Sequence, residues 1–280
     1  MRKSYISEYP VATFFALTFF ISWGAILILF GQEAIPATVE LQEKIGMAIL
    51  LGPTITCLLL ISVFEGVKGL HNLIARLFNW RANVKWYAIA LLTAPLSTLL
   101  CVFTLPFFTS NYPPAILTAD ETSSLLLLGV VGGLTIGLME ELGWTGFAIP
   151  RLLQKFSIIT TGITVGAIWG LWHFILFWED DSFSNVHAFL LLLARLFAWL
   201  PAYRILMVWV YENSQSLLIV ILMHASLVAS LATLDPTING KDLLIYILIR
   251  AVVLWTIVGI VAIIRKRTIK KEQPLARGLQ

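Results

Sequence analysis

Residues 125–144, LLLLGVVGGLTIGLMEELGW, decide the reading of this chain. Fifteen residues without a charge run directly into two adjacent glutamates, Glu140 and Glu141. A run of about 20 predominantly apolar residues is long enough to span a bilayer as a helix. Each carboxylate at that depth costs roughly 2.5–3.5 kcal/mol on insertion scales, which makes it a functional candidate. Two histidines, His173 and His224, lie in later apolar stretches.

The rest of the chain has the same character. Of 280 residues, 59% are hydrophobic and 12% charged, where a soluble domain carries about 25% charged residues. Mean hydropathy is +0.88. The expected fold is all-α, a polytopic membrane bundle forming one domain over residues 1–280. Eight spans are expected, at 12–31, 45–64, 86–108, 125–144, 158–178, 188–210, 217–234 and 243–264. Helices are the form that satisfies their backbone in lipid. The first run is about 20 residues long and reads as a retained helix rather than a cleaved signal. Cys57 and Cys101, isolated in apolar runs, read as small buried residues.

The basic residues set the expected orientation. Fourteen of the 19 Lys and Arg fall in the N-terminus, the 65–85 and 145–157 connections and the tail after Ile264. With eight spans these segments share one side, and the positive-inside rule makes that side cytoplasmic. The opposite loops carry Glu33, Glu40, Glu43, Asp120, Glu121, Glu179, Asp180, Asp181, Asp235 and Asp242. The protein is thus expected to be integral to the cell membrane with both termini inside. Residues 69–85 mix apolar, aromatic and basic side chains, as an interfacial amphipathic helix or a plain loop would.

The polar residues are expected to converge. The fourth and fifth spans form a hairpin whose turn lies near Ser157. Glu140 is 17 residues before Ser157 and His173 is 16 after it, so the two should share a depth. This requires the fourth helix to continue past Trp144, with Pro150 kinking or restarting it. His224 lies about 10 Å inside the seventh span at 1.5 Å per residue. A chamber in the inner half of the membrane would hold all three. Gly133 and Gly137 form a GxxxG that lets another helix approach closely. Neighbouring helical residues point about 100° apart, so Glu140 and Glu141 take different roles. One is a base or metal ligand and the other an orienting partner. Arg204 reads as snorkelling to the near end of its span or pairing with Glu140. Arg195 reads as meeting Glu179, Asp180 or Asp181. The run Glu179–Asp181 beside His187 reads as a solvated loop. Trp144, Trp169 and Trp172 flank the site and either shape it or pack it.

At these residues the chain resembles the CPBP family of intramembrane proteases, which includes the type II CAAX prenyl endopeptidases and the bacterial Abi proteins. The resemblance rests on EELGWTGFAIPRL from Glu140, WGLWH ending at His173, and LMHASLV around His224, and it covers residues 125–230. Two positions depart from the pattern. The arginine often found after Gly-Trp is Thr145, and the asparagine often found four residues after the last histidine is Val228. An asparagine there is thought to hold an oxyanion, which calls for a preorganised donor. Ser226, Asn213 and Arg204 are the candidates to replace it.

The resemblance implies peptide-bond hydrolysis within the membrane. Glu140, Glu141, His173 and His224 would form the catalytic site. Glu140, His173 and His224 would be the ligands if zinc or another divalent metal takes part, since two histidines and a carboxylate suit zinc. A metal-free glutamate mechanism is the other option. The expected partners are the bilayer and a membrane protein or lipidated peptide substrate, with no nucleic acid. A non-catalytic relative acting as a membrane scaffold or immunity-type binding protein is the second reading, favoured by Thr145 and Val228. A transporter would spread its polar residues through the membrane depth, and here they cluster.

Overall fold

A computed structural model describes residues 8–31 and 39–277, with side chains except at 39, 40, 43 and 267–277. The regular structure of the described residues is entirely helical. The α-helices are α1 (Pro10–Phe30), α2 (Val39–Ile49), α3 (Leu51–Leu77), α4 (Val84–Thr104), α5 (Thr122–Gly143), α6 (Ile149–Leu153), α7 (Ile158–Trp172), α8 (Phe174–Phe177), α9 (Val186–Leu193), α10 (Leu200–Ser214), α11 (Leu217–Leu234) and α12 (Gly240–Arg277). One π-helical turn, Trp144–Ala148, joins α5 to α6, and another, Ala194–Ala198, lies between α9 and α10.

Seven stretches of the described residues are long and apolar enough to cross a membrane: Pro10–Phe30, Lys44–Leu77, Val84–Phe107, Thr122–Leu153, Val186–Ser214, Leu217–Leu234 and Gly240–Lys266. They make this an integral membrane protein. Large apolar side chains point outward along them, among them Phe20, Val63, Phe103, Leu128 and Val252, as lipid-facing helices require. The stretch expected as the fifth span is interrupted instead. Helix α7 has 15 residues and stops at Trp172, and α8 adds one turn beyond His173. The reason is local. The His173 backbone N–H turns to the Gly170 carbonyl, and its ring Nδ1 takes the Trp169 carbonyl at 2.7 Å. A side chain that replaces the backbone donor in this way ends a helix.

Arg2, Lys3 and Glu33 lie outside the described residues, as do the side chains of Glu40, Glu43 and the basic tail from Arg267. Residues 69–77 continue α3 beyond a break at Gly66 (φ 61°), and α4 begins only at Val84. Cys57 and Cys101 are buried free thiols.

The fourth span does continue past Trp144. It bulges through the π turn, and Pro150 sits in the first turn of α6, where a missing N–H is tolerated. Proline still removes the donor due to the Gly146 carbonyl one turn earlier. Arg76 Nη2 supplies it from α3 at 2.8 Å, while Arg76 Nη1 donates to Tyr211 Oη on α10 at 3.0 Å. Ser157 then caps α7 by accepting from the Thr160 N–H. Helices α10 and α11 form a second hairpin. Gln215 closes α10 in the left-handed region (φ 52°), and Ser216 caps α11.

Two glycine stripes set how closely these helices pack. A Cβ on Gly133 would lie 2.5 Å from the Ala225 carbonyl oxygen, and one on Gly137 would lie 2.8 Å from that of Ile221. The GxxxG of α5 is therefore the bed for α11, the helix that carries His224. On α7, a Cβ on Gly162 would lie 2.6 Å from Ile205 Cα, and one on Gly166 would lie 2.5 Å from Pro201 Cα. These glycines, with Gly170, seat α10 and the π turn before it.

Gly133→Val is expected to destabilise the protein by about 1–3 kcal/mol through overpacking. Gly132→Val, at a position with no neighbour within 4 Å, should cost far less. Thermal unfolding of the two variants in the same detergent checks this, and equal losses would refute the close-packing account.

Candidate active site

The two glutamates leave α5 in different directions, as their helical offset requires, and they meet different company. Glu140 is 2% exposed and Glu141 is fully buried.

Glu141 lies in an ionic cluster. Arg204 Nη1 donates to both its oxygens, at 2.7 and 2.9 Å. His224 Nδ1 lies 2.8 Å from Oε1, and Thr145, one turn on, donates its hydroxyl to Oε2. Arg204 is itself fully buried. The reading of Arg204 as a snorkelling residue, or as a partner of Glu140, is therefore corrected. Helix α10 runs to Ser214, four residues past the expected end of its span, which places Arg204 a turn deeper. Arg195 pairs with Glu179 at 2.6 Å.

Glu140 is held by neutral donors. Trp144 Nε1 lies 3.1 Å and Trp169 Nε1 2.6 Å from Oε2. Oε1 has no hydrogen-bond partner among the described residues. Trp169 is also the link to both histidines. Its carbonyl accepts from His173 Nδ1, and its ring packs edge-on against His173 at 5.3 Å and His224 at 5.4 Å. A carbonyl only accepts, so His173 Nδ1 carries a proton, and Nε2 is the nitrogen left for other work. His173 also stacks on Phe177 of α8 at 5.8 Å. Trp172 donates instead to Ser22 on α1 at 2.9 Å, so it anchors α7 rather than touching the carboxylates.

The structure thus gathers Glu140, Glu141, His173 and His224 around Trp169 and Arg204. Sequence reasoning left Trp169 as either shaping or packing the site, and gave Arg204 three readings: snorkelling, a partner of Glu140 or an oxyanion donor. Two signals pointed to them. Gly162, Gly166 and Gly170 repeat at helical spacing beside Trp169. Arg204 lies 11 residues before Gln215 and His224 lies 9 after it, the same depth argument that paired Glu140 with His173.

Two of the three replacements considered for an asparagine at Val228 are committed elsewhere. Ser226 donates to the Leu91 carbonyl at 2.8 Å, and Asn213 to that of Trp209 at 2.7 Å. The metal set expected from the sequence is Glu140, His173 and His224. Among the described residues, no three His, Cys, Asp or Glu side chains gather as a metal-holding group. A cavity of about 900 Å³ opens at the hairpin turn rather than at the glutamates, lined in part by Glu65, Arg76, Pro150, Arg151 and Lys155. Within the site, His173 keeps partial exposure.

Residues 122–230 match the family model described as Type II CAAX prenyl endopeptidase Rce1-like. A CAAX prenyl protease 2 of Methanococcus maripaludis is 29% identical over 145 residues, covering 48% of this chain and 51% of that protein. The chain thus spans about half the length of the curated relative it matches. Both findings agree with the resemblance carried by the three motifs.

The two environments make the glutamates separable by stability. Glu141→Gln leaves the Arg204 charge buried without its counter-ion and is expected to cost about 3 kcal/mol. Glu140→Gln keeps an oxygen to accept from both indoles and should cost about 1 kcal/mol or less. Denaturant or thermal unfolding measures both, and the reverse order would contradict this assignment.

Proposed function

We propose that the protein is an intramembrane endopeptidase, acting on a membrane-associated CAAX-type chain. The observation that carries this reading is a buried carboxylate, Glu140, anchored through Oε2 by two indole donors with Oε1 left to take a proton. A group fixed in this way suits general-base work on water.

In the proposed reaction, Glu140 Oε1 removes one proton from a water molecule. His173 Nε2 accepts a hydrogen bond from the other and holds the water in line. The hydroxide oxygen adds to the scissile carbonyl carbon. His224, braced by Glu141, faces the carbonyl oxygen and donates from Nε2 when that nitrogen is protonated. The C–N bond then breaks as the proton on Glu140 passes to the leaving amine. The products are a carboxylic acid and an amine, which become a carboxylate and an ammonium when the acid proton passes to the amine, and Glu140 is ready again.

Glu141 acts through others. It keeps Arg204 and His224 in place and has no donor-free oxygen to offer water. The residues as they stand do not form a metal-holding group, so no step is routed through an ion. Cytoplasmic termini on both ends require residues 158–177 to cross as an eighth span beside the seven longer ones, and the charge distribution of the sequence supports that crossing and a cell-membrane location. The family match and the name of the archaeal relative support the substrate class.

The test is cleavage of a panel of membrane-anchored peptides, prenylated and not, by purified protein in lipid. Wild type should cut at least one class. Glu140→Ala and His173→Ala should each lose at least about 100-fold in kcat, the range for removal of a general base. A chelator should leave the rate unchanged. An inactive wild type beside an active family protease would favour the scaffold reading, with Val228 as its cause.

A further inference from the structure

Arg204 is engaged in an unusual way. A guanidinium and a carboxylate ordinarily meet as two parallel forks. Here a single nitrogen, Nη1, reaches both Glu141 oxygens, and Nε and Nη2 have no hydrogen-bond partner although buried. The guanidinium carbon lies over the Trp169 ring, 4.1 Å from the centroid. A desolvated cation over an indole is stabilised by the ring quadrupole. The same indole donates to Glu140 at 2.6 Å. One side chain on α10 therefore touches the partner of each glutamate at once. It holds Glu141 by charge and, through Trp169, it sets the donor that fixes Glu140.

We infer that Arg204 is the positioning residue of this site, coupling the Glu141–His224 pair to the Trp169–Glu140 pair. This rests on the reading of Glu140 as the base. The chain's own sequence explains why the cation comes from α10. Position 145, one turn after Glu141, holds a threonine that supplies a hydroxyl but no charge. Gly166 on α7 then matters directly, because a Cβ there would lie 3.2 Å from Arg204 Cβ. The glycine lets α10 come close enough for the guanidinium to slide under Trp169. Arg204 need not meet substrate to control it.

Three variants in lipid test the coupling: Arg204→Met, Arg204→Lys, and Arg204→Met combined with Thr145→Arg. The third moves the positive charge back to the helix of Glu141. Each is read by kcat and KM on a cleaved peptide, and by the His224 Nδ1 signal in 15N NMR, assigned by its disappearance in His224→Gln. Thermal unfolding checks that each variant is folded. Arg204→Met should lose about 10–100-fold in kcat, as orienting partners outside the reacting groups do, with KM within about twofold. Its His224 signal should shift. Arg204→Lys keeps charge without a flat face, so it should restore the signal but not the full kcat. The relocated charge should behave like the lysine variant. A folded Arg204→Met with wild-type kcat and an unmoved His224 signal overturns the inference. So does a folded double variant whose signal stays where Arg204→Met put it. If Arg204→Met does not fold, the lysine and relocated variants decide on the same criteria. If no protein, wild type included, cleaves any peptide, the endopeptidase reading fails, and the NMR result still decides whether Arg204 sets His224.

Discussion

The structure depends on one buried ion pair, Glu141 with Arg204, both inaccessible to solvent. Two charges at bilayer depth are tolerable only together. Their mutual attraction and added hydrogen bonds must offset a desolvation penalty of several kcal/mol per ion. Thr145 and His224 supply the added bonds to the carboxylate, and the Trp169 face covers the guanidinium. The result draws α5, α7, α10 and α11 to one point. Much of the bundle can be understood as what is needed to let those four helices reach it.

Small residues provide that reach. Between transmembrane helices, lipid gives no hydrophobic drive toward association, so close packing and interhelical hydrogen bonds must do the holding. The stripe of Gly133 and Gly137 brings the α11 backbone against α5, and that of Gly162, Gly166 and Gly170 brings α10 against α7. Polar links then fix the angles. Tyr203 Oη donates to the Met223 carbonyl at 3.0 Å across the second hairpin. Arg76 ties α3 to both the π turn and α10. A second buried cluster, Asp235 with Arg250 and Tyr246, binds α11 to α12 near the other end of the bundle.

The helical membrane fold was legible because apolar runs of this length leave the backbone few alternatives. The first hairpin was legible too, since counting residues from Ser157 depends only on helical rise. Other features were hidden for physical reasons. The break after Trp172 comes from His173 bonding back to its own helix, a choice between two local hydrogen bonds that apolar periodicity does not register. The depth of Arg204 was misjudged because hydropathy ends a span where polarity begins, whereas α10 continues through Tyr211, Glu212 and Asn213. The α7 glycines were visible as a spacing, but their partner helix was not.

The different settings of the two glutamates bear on what the missing residues imply. Thr145 brings a hydroxyl but no charge to Glu141, and Arg204 brings the charge from another helix. Val228 has no comparable substitute. It follows His224 by one helical turn and offers no donor, and Ser226 and Asn213 are turned away. In the proposed mechanism His224 Nε2 is the donor that faces the developing oxyanion, and of the three replacements weighed Arg204 alone keeps N–H groups without a partner. A single preorganised donor of this kind is worth about 2.7–4 kcal/mol in a well-studied protease. On the proposed mechanism, a site with Glu140 as base and one oxyanion donor fewer is expected to activate water and turn over slowly. The buried pair does not itself separate an enzyme from a scaffold, because it also holds α5, α7, α10 and α11 together; the rate of peptide cleavage separates them.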